Sequence, residues 1–138
     1  MSTIQPSSLL RFALRLDAGI SLASGLLLCA APGFLGERFA LPPDLLLVVG
    51  LICLPYATLL WSLARRTQLA SAGVLAIIVG NLLWADAALL LIFGYGATPN
   101  ALGQAYLATH VVATAAFAVL QWLGLRRSAR LSAQAVAA

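Results

Sequence analysis

The segment Leu59-Leu60-Trp61-Ser62-Leu63-Ala64-Arg65-Arg66-Thr67-Gln68-Leu69-Ala70 ends one long apolar run and begins the next. An arginine pair between two apolar runs, with a Trp one turn before it, reads as a tight hairpin at a membrane surface. Working outward from it, four apolar stretches cover residues 9–31, 44–64, 69–93 and 101–125. Each has about the ~20 residues that cross ~30 Å of hydrocarbon. The expected fold is all-α: one four-helix transmembrane bundle forming a single membrane domain over residues 1–138.

The arginines orient this bundle. Arg11 and Arg15 open the first span, Arg65 and Arg66 join the second to the third, and Arg126, Arg127 and Arg130 follow the fourth. Only Arg38, beside Glu37, falls in the other set of loops. Positive-inside bias predicts that both termini and the Arg65-Arg66 turn are cytoplasmic. With 138 residues, 62% hydrophobic and 9% charged, and a mean hydropathy of +1.00, the chain is excluded from the soluble globular class. The net charge of +4 does not point to nucleic acid, because the arginines sit in pairs at helix ends, where they meet anionic lipid headgroups. Membrane lipids are the expected partners.

The first stretch reads as a retained helix. Cys29 and Ala31 are small enough for a signal-peptidase site, but Pro32 would follow the cut. Leu26-Leu27-Leu28-Cys29 lacks the small residue that a lipoprotein box places at Leu28. With no C-x-x-C, Cys29 and Cys53 are expected as free thiols packed like small hydrophobes. Pro6-Ser7-Ser8 predicts the first helix start, and Pro32-Gly33 its end. Residues 33–43 form the first outer loop, with room for a short interfacial turn around Phe34, Leu35 and Phe39. Pro55 predicts a kink in the second helix, its freed carbonyl re-satisfied by Thr58 or water. Residues 94–100 form the second outer loop, and residues 131–138 are expected as a disordered tail.

The chain also carries an internal echo. Trp61-Ser62-Leu63-Ala64-Arg65-Arg66 closes the first hairpin and Trp122-Leu123-Gly124-Leu125-Arg126-Arg127 the second. At the same offset Gly19 meets Gly80, Leu46 meets Leu107, and Ala40-Leu41 meets Ala101-Leu102. Either two parallel hairpins are related by an axis along the membrane normal, or each helix end separately needs a Trp followed by Arg.

Polar side chains inside the spans are few, and each is informative. Asp17, Ser21, Ser24 and Gly25 make one helical stripe that should face protein rather than lipid. Tyr106, His110, Thr114, Phe117 and Gln121 make another in the fourth span. The third span brings Asn81 and Trp84 on one face and Asp86 well round from them. Asp86 and His110 lie at similar depth, roughly 10–14 Å from the outer ends, and are expected to pair within the chain or between chains. Tyr106, Asn81 and Thr114 would wall that couple, while Asp17, Tyr56 and Gln121 serve the cytoplasmic half. Tyr56 is too deep for an interfacial belt, so its hydroxyl needs a partner, with Asn81 and Asp17 the candidates. Two readings stand here: a ligand or proton site, or hydrogen bonds that hold helices together. One His cannot build a bis-His haem site or a three-His zinc site within one chain. No metal or cofactor is expected. No nucleophile–base pair, Walker loop or H-E-x-x-H occurs, so no catalytic residue is assigned.

The opening Leu9-Leu10-Arg11-Phe12-Ala13-Leu14-Arg15-Leu16-Asp17, the small-residue helix through Gly25, and the endings Leu59-Leu60-Trp61 and Leu120-Gln121-Trp122 resemble small bacterial four-helix membrane proteins. In size and in the L-R-x-x-L start the chain is loosely similar to DoxX-like proteins. The resemblance implies a four-helix bundle in a bacterial inner membrane and transfers no site residue. Three functions are carried forward. The first is a small binding or accessory protein, as a subunit of a larger membrane complex or a homo-oligomer, that holds a lipid- or quinone-like ligand. The second is a proton-coupled small-molecule transporter using Asp86 and His110, or Asp17. The third is an enzyme acting on a lipid-phase substrate, which lacks a reactive constellation in this sequence.

Overall fold

The computed structural model describes residues 3–137, and the side chains of residues 3–134. In chain order the elements are β1 (Thr3–Ile4), α1 (Ser8–Ala30), α2 (Pro32–Phe39), α3 (Pro43–Arg65), β2 (Leu69–Ala70), α4 (Ser71–Ile92) and α5 (Ala101–Ala137). Four of the helices, α1, α3, α4 and α5, are long and apolar enough to cross a membrane. Their outward faces carry Phe12, Leu26, Leu51, Leu83, Val112 and other large apolar side chains, as lipid-facing surfaces do.

Local chemistry sets the ends. Ser7 caps α1 by accepting from the Leu10 N–H at 3.3 Å. Asn100 does the same for α5, its Oδ1 accepting from the Gly103 N–H at 2.9 Å. Gly94 and Gly96, with φ of 84° and 83°, make the turn between α4 and α5 in the left-handed region open to glycine.

The segment after Pro32, expected as a loop with an interfacial turn, is an eight-residue helix. Proline is favoured at a helix's first turn because its missing N–H has no partner to lose there, and burial of Leu35 holds the helix against the bundle. At the arginine-rich end, β1 pairs antiparallel with β2, Thr3 opposite Ala70 and Ile4 opposite Leu69. The third span therefore begins at Ser71 rather than Leu69. The chain beyond Arg130, expected to be disordered, stays helical through Ala137; Ala138 lies outside the described residues. Ala, Leu and Gln there are good helix formers. The helix is also tied down: the Gln5 N–H donates to Ser132 Oγ at 3.2 Å, and the Ser7 N–H to Ser128 Oγ at 2.9 Å.

α1 packs on α3 and α5, and α5 packs on α4, so the helices run α3–α1–α5–α4 around the bundle. Gly25 on α1 faces Gly50 on α3. A Cβ at Gly25 would sit 3.1 Å from the Gly50 carbonyl oxygen, and one at Gly50 2.8 Å from Cys29 Sγ. The two glycines thus set the approach of α1 to α3. Between α3 and α4, consecutive in the chain, the backbones stay apart, and side chains such as Tyr56 and Asn81 reach across the gap. That seam is the widest between neighbouring helices of the bundle. Across the outer end, α2 rests on α3 and α5.

Candidate functional site

The stripe on α1 turns inward, as its spacing required. Asp17 is 1% exposed, and all four membrane helices supply groups around it. Its Oδ2 accepts from Gln121 Nε2 of α5 at 2.8 Å, from Asn81 Nδ2 of α4 at 2.9 Å and from the Tyr56 hydroxyl of α3 at 3.3 Å. Its Oδ1 accepts from the Ser21 hydroxyl of α1 at 3.2 Å. Asn81 Nδ2 also donates to Gln121 Oε1 at 3.1 Å, and the Tyr56 hydroxyl lies 3.3 Å from Asn81 Oδ1. No cation contacts the carboxylate among the described residues. A bare carboxylate at mid-membrane costs about 2.5–3.5 kcal/mol on insertion scales. Interhelical hydrogen bonds average about 0.6 kcal/mol each, so the three from Tyr56, Asn81 and Gln121 offset more than half of that cost, and Ser21 adds a bond within α1.

This knot forms one end of a cavity of about 450 Å³ lined by all four spans. Ser21 and Ser24 of α1, Cys53 of α3 and Trp84 of α4 line it, with Ile20, Ile52, Gly80 and Phe117 as apolar wall. Gln121 is fully buried and lies outside the lining. The carboxylate is therefore held from behind by Gln121, while Ser21, Tyr56 and Asn81 join it in the cavity lining. At the other end lie Tyr106 and His110. The Tyr106 ring stacks on Phe39 of α2, with centroids 4.5 Å apart and planes 15° apart, so α2 covers this end. His110 tilts against Tyr106 at 4.6 Å, and its Nδ1 lies 3.4 Å from the Tyr106 carbonyl oxygen. The Tyr106 hydroxyl and His110 Nε2 have no hydrogen-bond partner among the described residues. From His110 to Phe117 along α5 is about 10 Å at 1.5 Å per residue. The cavity is thus closed at one end by the Asp17 knot and at the other by α2. It is flanked by the α3–α4 seam.

The offset of 61 positions between Trp61 and Trp122 reappears in this lining. Ile20 and Asn81, Ile52 and Ala113, Cys53 and Thr114, and Tyr56 and Phe117 are pairs at that spacing, and every member faces the cavity. The α1–α3 and α4–α5 hairpins therefore present equivalent positions to it. Asp17 has no such counterpart, since Ile78 stands at its offset.

The structure brings together Asp17, Tyr56, Asn81 and Gln121 in the knot, and places Trp84, Tyr106, His110 and Thr114 along the cavity. Thr114 spends its hydroxyl on the His110 carbonyl at 2.8 Å. Asp86 is a correction: it is exposed on the outer face of α4 and makes no contact with His110 within the chain. Asn81, Ala85 and Ala88 form the buried face of α4, and the helical turn carries Asp86 away from it. Equal depth did not mean equal face. Tyr56 has both partners the sequence pointed to. Thr58 does not serve the carbonyl freed by Pro55; it donates to Leu54 at 3.0 Å, the carbonyl one turn back from itself. Ser21 was legible, four residues from Asp17. Ile20, Ile52 and Phe117 carry no signal that separates cavity wall from lipid face.

In comparisons with known proteins, the chain matches no family model, no curated protein and no solved structure.

Proposed function

We propose that this chain is a multi-pass membrane protein that binds an amphipathic, lipid- or quinone-like small molecule in the cavity between its four helices. The observation that carries the reading is a cavity of about 450 Å³ at membrane depth, mostly apolar in its walls and polar at both ends. Ligand sites have this composition: apolar area for binding, and a few placed polar groups for orientation. A bundle held only by interhelical hydrogen bonds has no use for the void. Packing against α3 and α5 lets α2 screen the outer end, and this reading has the ligand enter from the bilayer at the wider α3–α4 seam. Gly80 lines this cavity, and a Cβ there would meet nothing within 4 Å.

The proposal sets both termini in the cytoplasm of a bacterial cell, with the chain in the inner membrane. The support is charge. Arg15, Arg65, Arg66, Arg126, Arg127 and Arg130 are exposed at the end of the bundle that carries β1 and β2, where anionic headgroups would meet them. The transport reading, with its acid moved from Asp86 to Asp17, shares the same cavity and adds movement of the ligand.

Native mass spectrometry from mild detergent tests the binding reading. The expected spectrum shows a co-purified small molecule that is lost on delipidation and regained from a membrane extract. A chain that stays free of small molecules in both preparations, and whose Trp84 emission no extract fraction shifts, would reject it.

A further inference from the structure

We infer that the ligand carries a cationic head, seated on Asp17 Oδ1, the less occupied oxygen of a carboxylate in the cavity lining, among the rings of Tyr56, Trp84 and Phe117. The inference rests on the binding reading above and narrows it to one chemical class. The two oxygens of Asp17 are not equivalent. Oδ2 accepts from Gln121, Asn81 and Tyr56, and has no lone-pair direction to spare. Oδ1 accepts from Ser21 alone, at 3.2 Å. Asp17, Ser21, Tyr56 and Asn81 all line the cavity, and of the two carboxylate oxygens Oδ1 is the one with a lone-pair direction left for a ligand. A quinone carbonyl set there would bring lone pair against lone pair. An ammonium or similar centre brings a donor or a positive charge to an oxygen that has room for it.

Two further observations point the same way. Every partner of the carboxylate is a neutral hydroxyl or amide, so the chain itself leaves this buried acid without a counter-charge. Arg15, two positions before Asp17 on α1, is exposed, and no arginine contacts the carboxylate among the described residues. The cavity also collects the rings of Tyr56, Trp84, Tyr106 and Phe117, with His110, beside Asp17, Asn81, serines, threonines and aliphatic residues. Aromatic faces attract cations through the ring quadrupole, Trp most strongly, and gain when the cation is desolvated. A carboxylate and several rings in one apolar chamber suit a lipophilic cation better than a neutral or anionic amphiphile.

The test uses two ions of one shape and opposite charge, tetraphenylphosphonium and tetraphenylborate, added to the purified chain in a non-ionic detergent. Trp61→Phe and Trp122→Phe leave Trp84 as the sole indole reporter. Saturable binding of the phosphonium is expected, with the borate weaker by about tenfold or more. Asp17→Asn should lower phosphonium affinity about thirtyfold or more, the usual scale for removing one partner of a buried charge pair. Trp84→Leu, read by calorimetry, removes no hydrogen bond of the knot, since Trp84 makes none to it. It should lower that affinity about three- to thirtyfold, which keeps the test decisive if Asp17→Asn folds poorly. Borate binding as tight as phosphonium, or phosphonium affinity indifferent to both substitutions, would overturn the inference. A decyl-chain quinone gives the neutral arm. If it binds and the phosphonium does not, the cavity still binds ligands and the cationic head is wrong. If neither binds and nothing co-purifies, the binding reading falls with it.

Discussion

Gln121 Nε2 donates to Asp17 Oδ2 at 2.8 Å, across 104 positions of sequence and between the first and last membrane helices. Both side chains are almost wholly buried. In lipid, helices gain no hydrophobic energy by meeting one another, so small-residue packing and such bonds decide which faces meet. Asp17 serves this role for all four spans at once: Ser21 lies on its own helix, and Tyr56, Asn81 and Gln121 come from the other three.

The first prediction follows from that convergence. Gln121→Leu removes a donor to Asp17 and an acceptor for Asn81 while nearly keeping volume. The expected cost is about 1–2 kcal/mol, the range for polar interhelical bonds in model peptides. Gln121→Glu should cost more, because it sets a second carboxylate against the first. Unfolding in mixed detergent micelles measures both. A Gln121→Glu chain as stable as the parent would show that the bond carries no weight.

A second prediction concerns the glycine contact. Gly50→Ala places a methyl 2.8 Å from Cys29 Sγ and 3.0 Å from Leu28 Cβ. Overpacking of this kind costs about 1–3 kcal/mol, and α1 must move off α3 to relieve it. Gly80→Ala is the control, since its Cβ meets nothing within 4 Å. The same unfolding assay should order the two clearly. Adding Cys29→Ala to Gly50→Ala should recover part of the loss, because it removes one of the two colliding atoms.

These contrasts show how far the sequence could be read. The spans were legible because length and apolarity have no competing explanation at a mean hydropathy of +1.00. The Asp17 stripe was legible because polar residues at helical spacing in lipid must turn to protein. Asp86 misled because depth follows from counting residues, whereas the buried face depends on which neighbours a helix meets, and on α4 that face was apolar apart from Asn81. The helix α2, the β1–β2 pair and the helical tail beyond Arg130 rest on tertiary contacts, such as Gln5 with Ser132, that no local pattern announces. The cavity was the least legible of all, because Ile20 or Ile52 reads the same whether it borders a void or a lipid chain.

Asp86 itself yields a third prediction. It is exposed on α4 and unpartnered among the described residues. Asp86→Ala should leave the fold of a single chain unharmed and raise its stability, since a carboxylate facing hydrocarbon is unfavourable by up to a few kcal/mol. Thermal unfolding in detergent, alongside the copy number by native mass spectrometry, checks this. A marked loss of stability with no change in copy number would contradict the unpartnered placement.

The proposed orientation predicts a labelling pattern. In a chain carrying Cys29→Ala and Cys53→Ser, a cysteine replacing exposed Thr67 should react only with reagents that reach the cytoplasm. One replacing Tyr95, 68% exposed in the opposite loop, should react with impermeant reagents from outside. The reverse pattern would invert the topology and with it the assignment of Asp17 to the cytoplasmic half.

The last prediction concerns how the cavity is reached. Gly80 lines it from α4, beside the seam where the α3 and α4 backbones stay apart, and a side chain there starts from open space. Gly80→Leu should therefore fold normally and slow ligand uptake, because its branched end projects into the path between Ile52 and Trp84. Phe39→Ala tests the other route. It strips the ring stacked 4.5 Å from Tyr106 and loosens the cover that α2 makes over the outer end. If the ligand enters from the bilayer, association in lipid nanodiscs should slow on Gly80→Leu and stay near the parent rate on Phe39→Ala, while dissociation from Phe39→Ala quickens through the lost contact with Tyr106. Stopped-flow fluorescence of Trp84 resolves the two rates. Faster association on Phe39→Ala with no effect of Gly80→Leu would move the route from the α3–α4 seam to the end beneath α2.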